Sequence, residues 1–233
     1  MRGQPLSSEL GIMTSPSETA LDEAEIYRRE AMGAFAHEAR TPLTSIRMVL
    51  ELARRLGSGG DAVLDAELAA MLTASVDDLQ RLVDELQEMS RLERGKLALS
   101  PGPCDLRAAV DAARELVSPA VSIDGAAPAT VEGPWDSARL VHAIAGFARA
   151  VNRIGDGGGA VALDCSVLPG GIEIVLSSGQ PHGPPREIAA DAGFGFFRAR
   201  QLVIAMGGSV DCARADRYAR VRVGLPLPQG YSA

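Results

Sequence analysis

The sequence predicts a chain of two unlike parts, mainly α and then α+β. A long helical hairpin pairs with a second copy as a dimeric four-helix bundle, and an α/β sandwich follows it. Three observations carry this. Residues 16–94 are rich in Ala, Glu, Arg, Leu and Met and place apolar residues at heptad spacing. Composition changes across the Gly- and Pro-containing stretch 95–104. From Asp105 onward, helical patterns alternate with short β-rich runs, as in a sheet with helices segregated to one side.

Residues 1–15 are polar and unpatterned and read as a flexible N-terminal tail. Ser15, Pro16 and Glu18 form a helix start: a cap, a proline at the first helical position, and the acidic partner of a capping box. The helical pattern runs to about Leu56, with a kink or local break expected at Pro42. Its seam passes through Phe35, Ala39, Ile46, Val49, Ala53 and Leu56. Gly57 to Gly60 makes a turn, and Asp61 is placed to cap a second helix reaching about Glu93. Leu68, Leu72, Ser75, Leu79, Leu82, Leu86 and Met89 repeat at alternating four- and three-residue steps, a heptad seam with one polar member. Two antiparallel helices alone leave wide apolar faces open. A homodimer through residues 16–94 covers them; packing of the hairpin on the second half of a monomer is the alternative.

After the 95–104 linker, helices are expected at 105–117, 136–153 and 194–206. Strands are expected near 121–124, 129–132, 160–167, 171–177, 208–213 and 218–225, with Leu168 to Gly171 as a hairpin loop. Trp135 reads as a packing anchor, His142 as a helix-face residue and His182 as a loop residue. Gly157 to Gly159 reads as a strand-entry turn.

Composition narrows the function classes. The chain has 233 residues, 46% apolar and 23% charged, ordinary globular proportions. A net charge of −7 argues against nucleic acid and anionic membranes as partners. Cys104, Cys165 and Cys212 form no C-x-x-C pair, so no metal site or disulfide framework is expected. No apolar run approaches the ~18 residues of a membrane span, and the N-terminus lacks a signal-peptide core. No membrane insertion and a cytoplasmic location are the expectation.

The chemistry-bearing stretch is Phe35-Ala36-His37-Glu38-Ala39-Arg40-Thr41-Pro42-Leu43. His37 lies two residues past seam position Phe35, which points it away from the seam. A histidine with an ordinary pKa near ~6.5 is largely neutral and nucleophilic at cytosolic pH. Glu38 can take a proton as His37 attacks phosphorus. Arg40 can offset phosphate charge, and Thr41, one turn on, can orient a water. The zincin pattern H-E-x-x-H is not met, because Thr41 stands at the second His position.

These residues resemble the H-box of histidine kinases, F-x-H-E-x-R-T-P-L, at every defined position. The resemblance implies that His37 accepts phosphate, that Glu38 assists proton removal, and that Thr41 assists dephosphorylation of a response regulator. It implies receiver docking on the bundle near the histidine, with Ile46 and Arg47 as candidates. The second half resembles a degenerate Bergerat-type sandwich, the ATPase-like domain of that family. The family's Mg²⁺- and phosphate-holding Asn positions, counted from Asp136-Ser137-Ala138-Arg139-Leu140, fall on Gly146 and Ala150. Asn152 lies on another helix face. Serine stands in Ser177-Ser178-Gly179-Gln180 where the family's adenine-binding Asp is expected. Gly193 and Gly195 remain as a vestigial phosphate-binding pair, and the stretch from Gly179 to Gly193 is short for the family's lid.

An intact phospho-acceptor half beside a damaged ATP half resembles dimeric histidine phosphotransferases. That implies a two-component phosphorelay protein exchanging phosphate between His37 and receiver aspartates, with no cofactor required. The first alternative is a soluble histidine kinase using ATP and Mg²⁺. The second is a non-catalytic regulator or phosphatase that binds a receiver or kinase.

Overall fold

The computed structural model describes residues 16–57, 63–128, 131–155, 158–179, 192–215 and 218–227. The expected tail, the Ser15 cap, most of the 57–60 turn, Asp61, His182 and most of the Gly179–Gly193 stretch lie outside the described residues.

Helix α1 spans Pro16–Leu56 and α2 spans Ala66–Glu93, forming the expected hairpin. The break expected at Pro42 is corrected: α1 runs through it. Pro42 lacks one N–H, but it is buried, and a single lost backbone bond does not outweigh the packing on either side. Thr44 Oγ1 donates to the Arg40 carbonyl at 2.8 Å just beyond. The start of α2 is also corrected. Its cap is Asp65, whose Oδ1 accepts from the Leu68 N–H at 2.9 Å. Leu68, Ser75, Leu82 and Met89 are the buried members of the seam. Ser75 satisfies its hydroxyl on the Met71 carbonyl, at 2.9 Å. Leu56, assigned to the α1 seam, is exposed.

The second part begins inside the expected linker. β1 (Gly102–Asp105) pairs antiparallel with β3 (Glu132–Trp135) as a two-stranded ribbon, and Cys104 is buried in it. The linker therefore ends at Pro101. β3 sits three residues later than expected. A five-stranded sheet follows the order β2-β4-β5-β7-β6, with β2 (Ser122–Asp124), β4 (Ala160–Leu168), β5 (Gly171–Ser178), β6 (Ser209–Ala215) and β7 (Tyr218–Pro226). β2 is parallel to β4 and every other pairing is antiparallel. Helices α3 (Leu106–Val117), α4 (Ser137–Ile154) and α5 (Phe194–Ala205) cover one face. Alternation places Ile172, Ile174 and Leu176 of β5 against these helices. Trp135 is the anchor expected: fully buried, with Nε1 donating to the Pro226 carbonyl at 3.1 Å.

The two parts share one apolar core. Ala31 and Ala34 of α1 and Leu82 and Met89 of α2 join the cluster that holds α4, α5 and the sheet. Tyr27 meets Phe197 edge-on at 5.1 Å and donates its hydroxyl to the Phe197 carbonyl. Glu88 of α2 takes Arg198 at 2.6 Å and Arg139 at 3.5 Å. This docking covers only part of the hairpin. Leu43, Met48, Leu50 and Leu52 of α1 and Met71, Val76 and Val83 of α2 remain exposed.

Candidate functional site

His37 sits on α1 with its side chain exposed, as its offset from the seam predicts. It lines an open cleft of about 720 Å³ together with Glu38, Thr41, Asp78, Arg81, Arg153 and Gly193. α1 supplies the histidine, the glutamate and the threonine, spaced so that residues one turn apart share a face. α2 supplies Asp78 and Arg81. The far wall comes from the second part of the chain, at the last turn of α4 and the entry to α5.

Glu38 spans the cleft. Its Oε1 accepts from Arg153 Nη1 and from the backbone N–H of Phe194, the latter at 3.2 Å. The carboxylate thus sits on the N-terminus of α5, where unpaired N–H groups and the helix dipole favour an anion. Gly193, the residue before that helix, has φ +82°, and a Cβ there would collide with both Arg153 and Glu38. Glycine is required for the conformation and for the approach. Arg81 is held by Asp78 at 3.3 Å and Glu85 at 3.4 Å.

The structure brings together four of the residues singled out in the sequence: His37, Glu38, Thr41 and Gly193. Two are elsewhere. Arg40 is exposed and does not line the cleft, because it lies two residues, about 200° of helix rotation, from Glu38, which faces Arg153 and α5. Gly195 packs against α4 instead. The cleft's cations are Arg81 and Arg153, and sequence reading missed both. Arg153 is 115 residues from Glu38, so no spacing rule could pair them.

Residues 27–95 match the His Kinase A (phospho-acceptor) domain. The hairpin thus matches the phospho-acceptor domain of the histidine kinase family. Among the chain's relatives, the probable sensor histidine kinase TcrY of Mycobacterium tuberculosis is 27% identical over 232 residues, covering 90% of this chain and 48% of TcrY. The histidine-protein kinase BaeS of Escherichia coli is 35% identical over 88 residues, 38% of this chain and 18% of BaeS. The chain thus spans about half the length of TcrY and less of BaeS. The histidine kinase AdeS of Acinetobacter baumannii shares the fold, with a TM-score of 0.62 at 18% identity over 83% of this chain and 98% of that one. Full-length ShkA, solved with AMPPNP, gives a TM-score of 0.53 at 23% identity, covering 85% of this chain and 46% of ShkA.

The family implies ATP and Mg²⁺, so the residues must be tested for fit. Mg²⁺ is a hard cation that takes oxygen ligands. The two α4 positions that resemble the family's ligand positions carry Gly146 and Ala150, both buried. A Cβ at Gly146 would lie 2.8 Å from the Gly195 carbonyl oxygen and 3.1 Å from Ala199 Cβ, so α4 and α5 close on each other there. Asn152 spends its carbonyl on the Gly159 N–H, at 2.9 Å. The serine facing the helical layer is Ser178, whose hydroxyl reaches the Ala160 carbonyl at 3.3 Å; Ser177 belongs to the opposite face. Among the described residues no group of three or more His, Cys, Asp or Glu could hold a metal. Among the described residues, those at the positions the resemblance points to do not fit a Mg²⁺-nucleotide. No described helix is long and apolar enough to cross a membrane.

Proposed function

We propose that this protein is a two-component phosphorelay component that carries phosphate on His37 and exchanges it with aspartates of response-regulator receiver domains, without using ATP. The observation that carries this reading is a contrast. His37 is exposed in an open cleft beside Glu38 and Thr41, while α4 and α5 close at Gly146 and Gly195. In transfer, a neutral ring nitrogen of His37 attacks the phosphorus of a receiver's phospho-aspartate. The P–N bond forms, the P–O bond breaks, and the aspartate leaves as carboxylate. The proton on the ring passes to Glu38. Return to a second receiver reverses these steps. Thr41 orients a water when the phosphate is hydrolysed instead.

In this reading residues 16–94 are the dimerisation and phosphotransfer unit. The part that begins at Gly102 serves as a docking surface, joined through residues 95–101. The exposed apolar residues of α1 and α2 support a homodimer through a four-helix bundle. A second reading, autophosphorylation from ATP, is supported by the relatives, which are named histidine kinases.

The deciding experiment offers purified protein either γ-labelled ATP with Mg²⁺ or a labelled phospho-receiver, beside a His37→Ala control. Acid-labile label from the receiver alone, lost in the control, supports the relay. Label from ATP establishes the kinase and overturns the ATP-free reading. Label from neither leaves a purely regulatory protein.

A further inference from the structure

We infer that Arg153 is the cation that binds the phosphoryl group carried by His37, so that the second part of the chain contributes a residue to the phosphohistidine site. The inference rests on His37 carrying phosphate, as proposed above.

The argument is one of charge balance in the cleft. Its charged lining groups are Glu38 from α1, Asp78 and Arg81 from α2, and Arg153 from α4; the α5 side contributes only Gly193. Two carboxylates face two guanidinium groups, so the cleft is neutral when His37 is unmodified. A phosphoryl group adds roughly −1.5 to −2 charge and three acceptor oxygens. Arg81 already serves two carboxylates, Asp78 and Glu85. Among the described residues, Arg153 is paired only with Glu38, the residue next to His37. A phosphoryl group on His37 repels the Glu38 carboxylate and attracts the same guanidinium. The pair opens, and Arg153 moves from Glu38 to the phosphate.

Two features suit Arg153 to this exchange. Its backbone is fixed by α4, whose neighbouring Ala150 and Val151 are buried, while its side chain is about half exposed and able to reorient. The absence of a side chain at Gly193 leaves its guanidinium room beside Glu38. Its planar fork of donors matches a phosphoryl group's oxygens, and unlike Arg40 it lines the cleft.

The test uses phosphoramidate as a chemical phosphoryl donor, which needs neither a receiver nor ATP. The imidazole nitrogen takes the phosphoryl group as the P–N bond to ammonia breaks. The readout is the ³¹P resonance of phosphohistidine, titrated with pH in the wild type, Arg153→Ala and Arg153→Lys. A nearby cation favours the dianionic phosphoryl group, so the titration midpoint in the wild type lies lower. In Arg153→Ala it rises by roughly half a pH unit, the scale of a half-exposed charge pair. Arg153→Lys recovers most of that shift, since it keeps the charge. An identical midpoint in all three proteins overturns the role of Arg153 and leaves the phosphorelay reading intact. No ³¹P signal that His37→Ala removes overturns both.

Discussion

The Phe35 ring meets the Phe194 ring edge-on, with centroids 5.4 Å apart, two residues before the histidine on one side and one residue after Gly193 on the other. This pair sets the spacing between α1 and α5 and therefore the width of the cleft. Phe35→Ala removes it. We expect a loss of about 2–4 kcal/mol in urea unfolding, at the lower part of the range for a half-buried ring. Faster proteolysis within residues 95–101 would show that the two parts separate first.

Glu38→Gln keeps an acceptor for the Phe194 N–H and removes the charge facing Arg153. If Glu38 takes the proton in transfer, the rate from a phosphorylated receiver falls roughly 10²–10⁴-fold, with little change in receiver affinity. Rapid-quench kinetics against receiver concentration separates the two effects.

Asp136 caps α4 and is buried. Burial alone would raise its pKa, but the N–H groups of Ser100 and Arg139 and the Arg139 guanidinium outweigh it, holding the carboxyl below its ordinary range. A depressed folded-state pKa gives stability that is complete above the unfolded value near ~3.9 and lost as pH falls through the folded one. Urea midpoints followed through the Trp135 fluorescence should carry this component as a fall only below about pH 4, and Asp136→Asn should lack it. Asp136→Ala costs about 1–3 kcal/mol at neutral pH.

Burial raises the Cys165 thiol to about 11 and the Cys212 thiol to about 12, and it also raises that of Cys104. Thiolate is the reactive form. At pH 8 the native protein should react with a maleimide or disulfide reagent far more slowly than a free cysteine, and denaturation should release three fast equivalents. Fast labelling of Cys212 in the native state would contradict its partly buried place on β6.

What the sequence made legible follows from how local each signal is. The heptad steps located Leu68, Ser75, Leu82 and Met89 because a seam repeats within one helix. The alternation of β4 and β5 was readable for the same reason. β1 was not, and β3 was read three residues early, because Pro103 and Pro134, which face each other in the ribbon, read as turn residues. Such prolines are tolerated in a short two-stranded edge pair. The α2 cap was misplaced by four residues because Asp61 and Asp65 are equally good caps, and only the hydrogen bond to Leu68 decides between them. At the site, the motif around His37 is contiguous and was legible whole. Arg153 was hidden because its partner is on another element, brought near only by the fold.

The contact between Gly146 and Gly195 leaves no room for a larger side chain at this point of α4. Writing asparagine at position 146 would not simply add an oxygen. The new side chain would have to push the α5 backbone away, and α5 carries the Phe194 amide that Glu38 holds. A single substitution on α4 would therefore be felt on α1, beside the histidine. An oxygen ligand placed on this face of α4 would therefore call for rebuilding two helices together, starting with the cleft that holds His37.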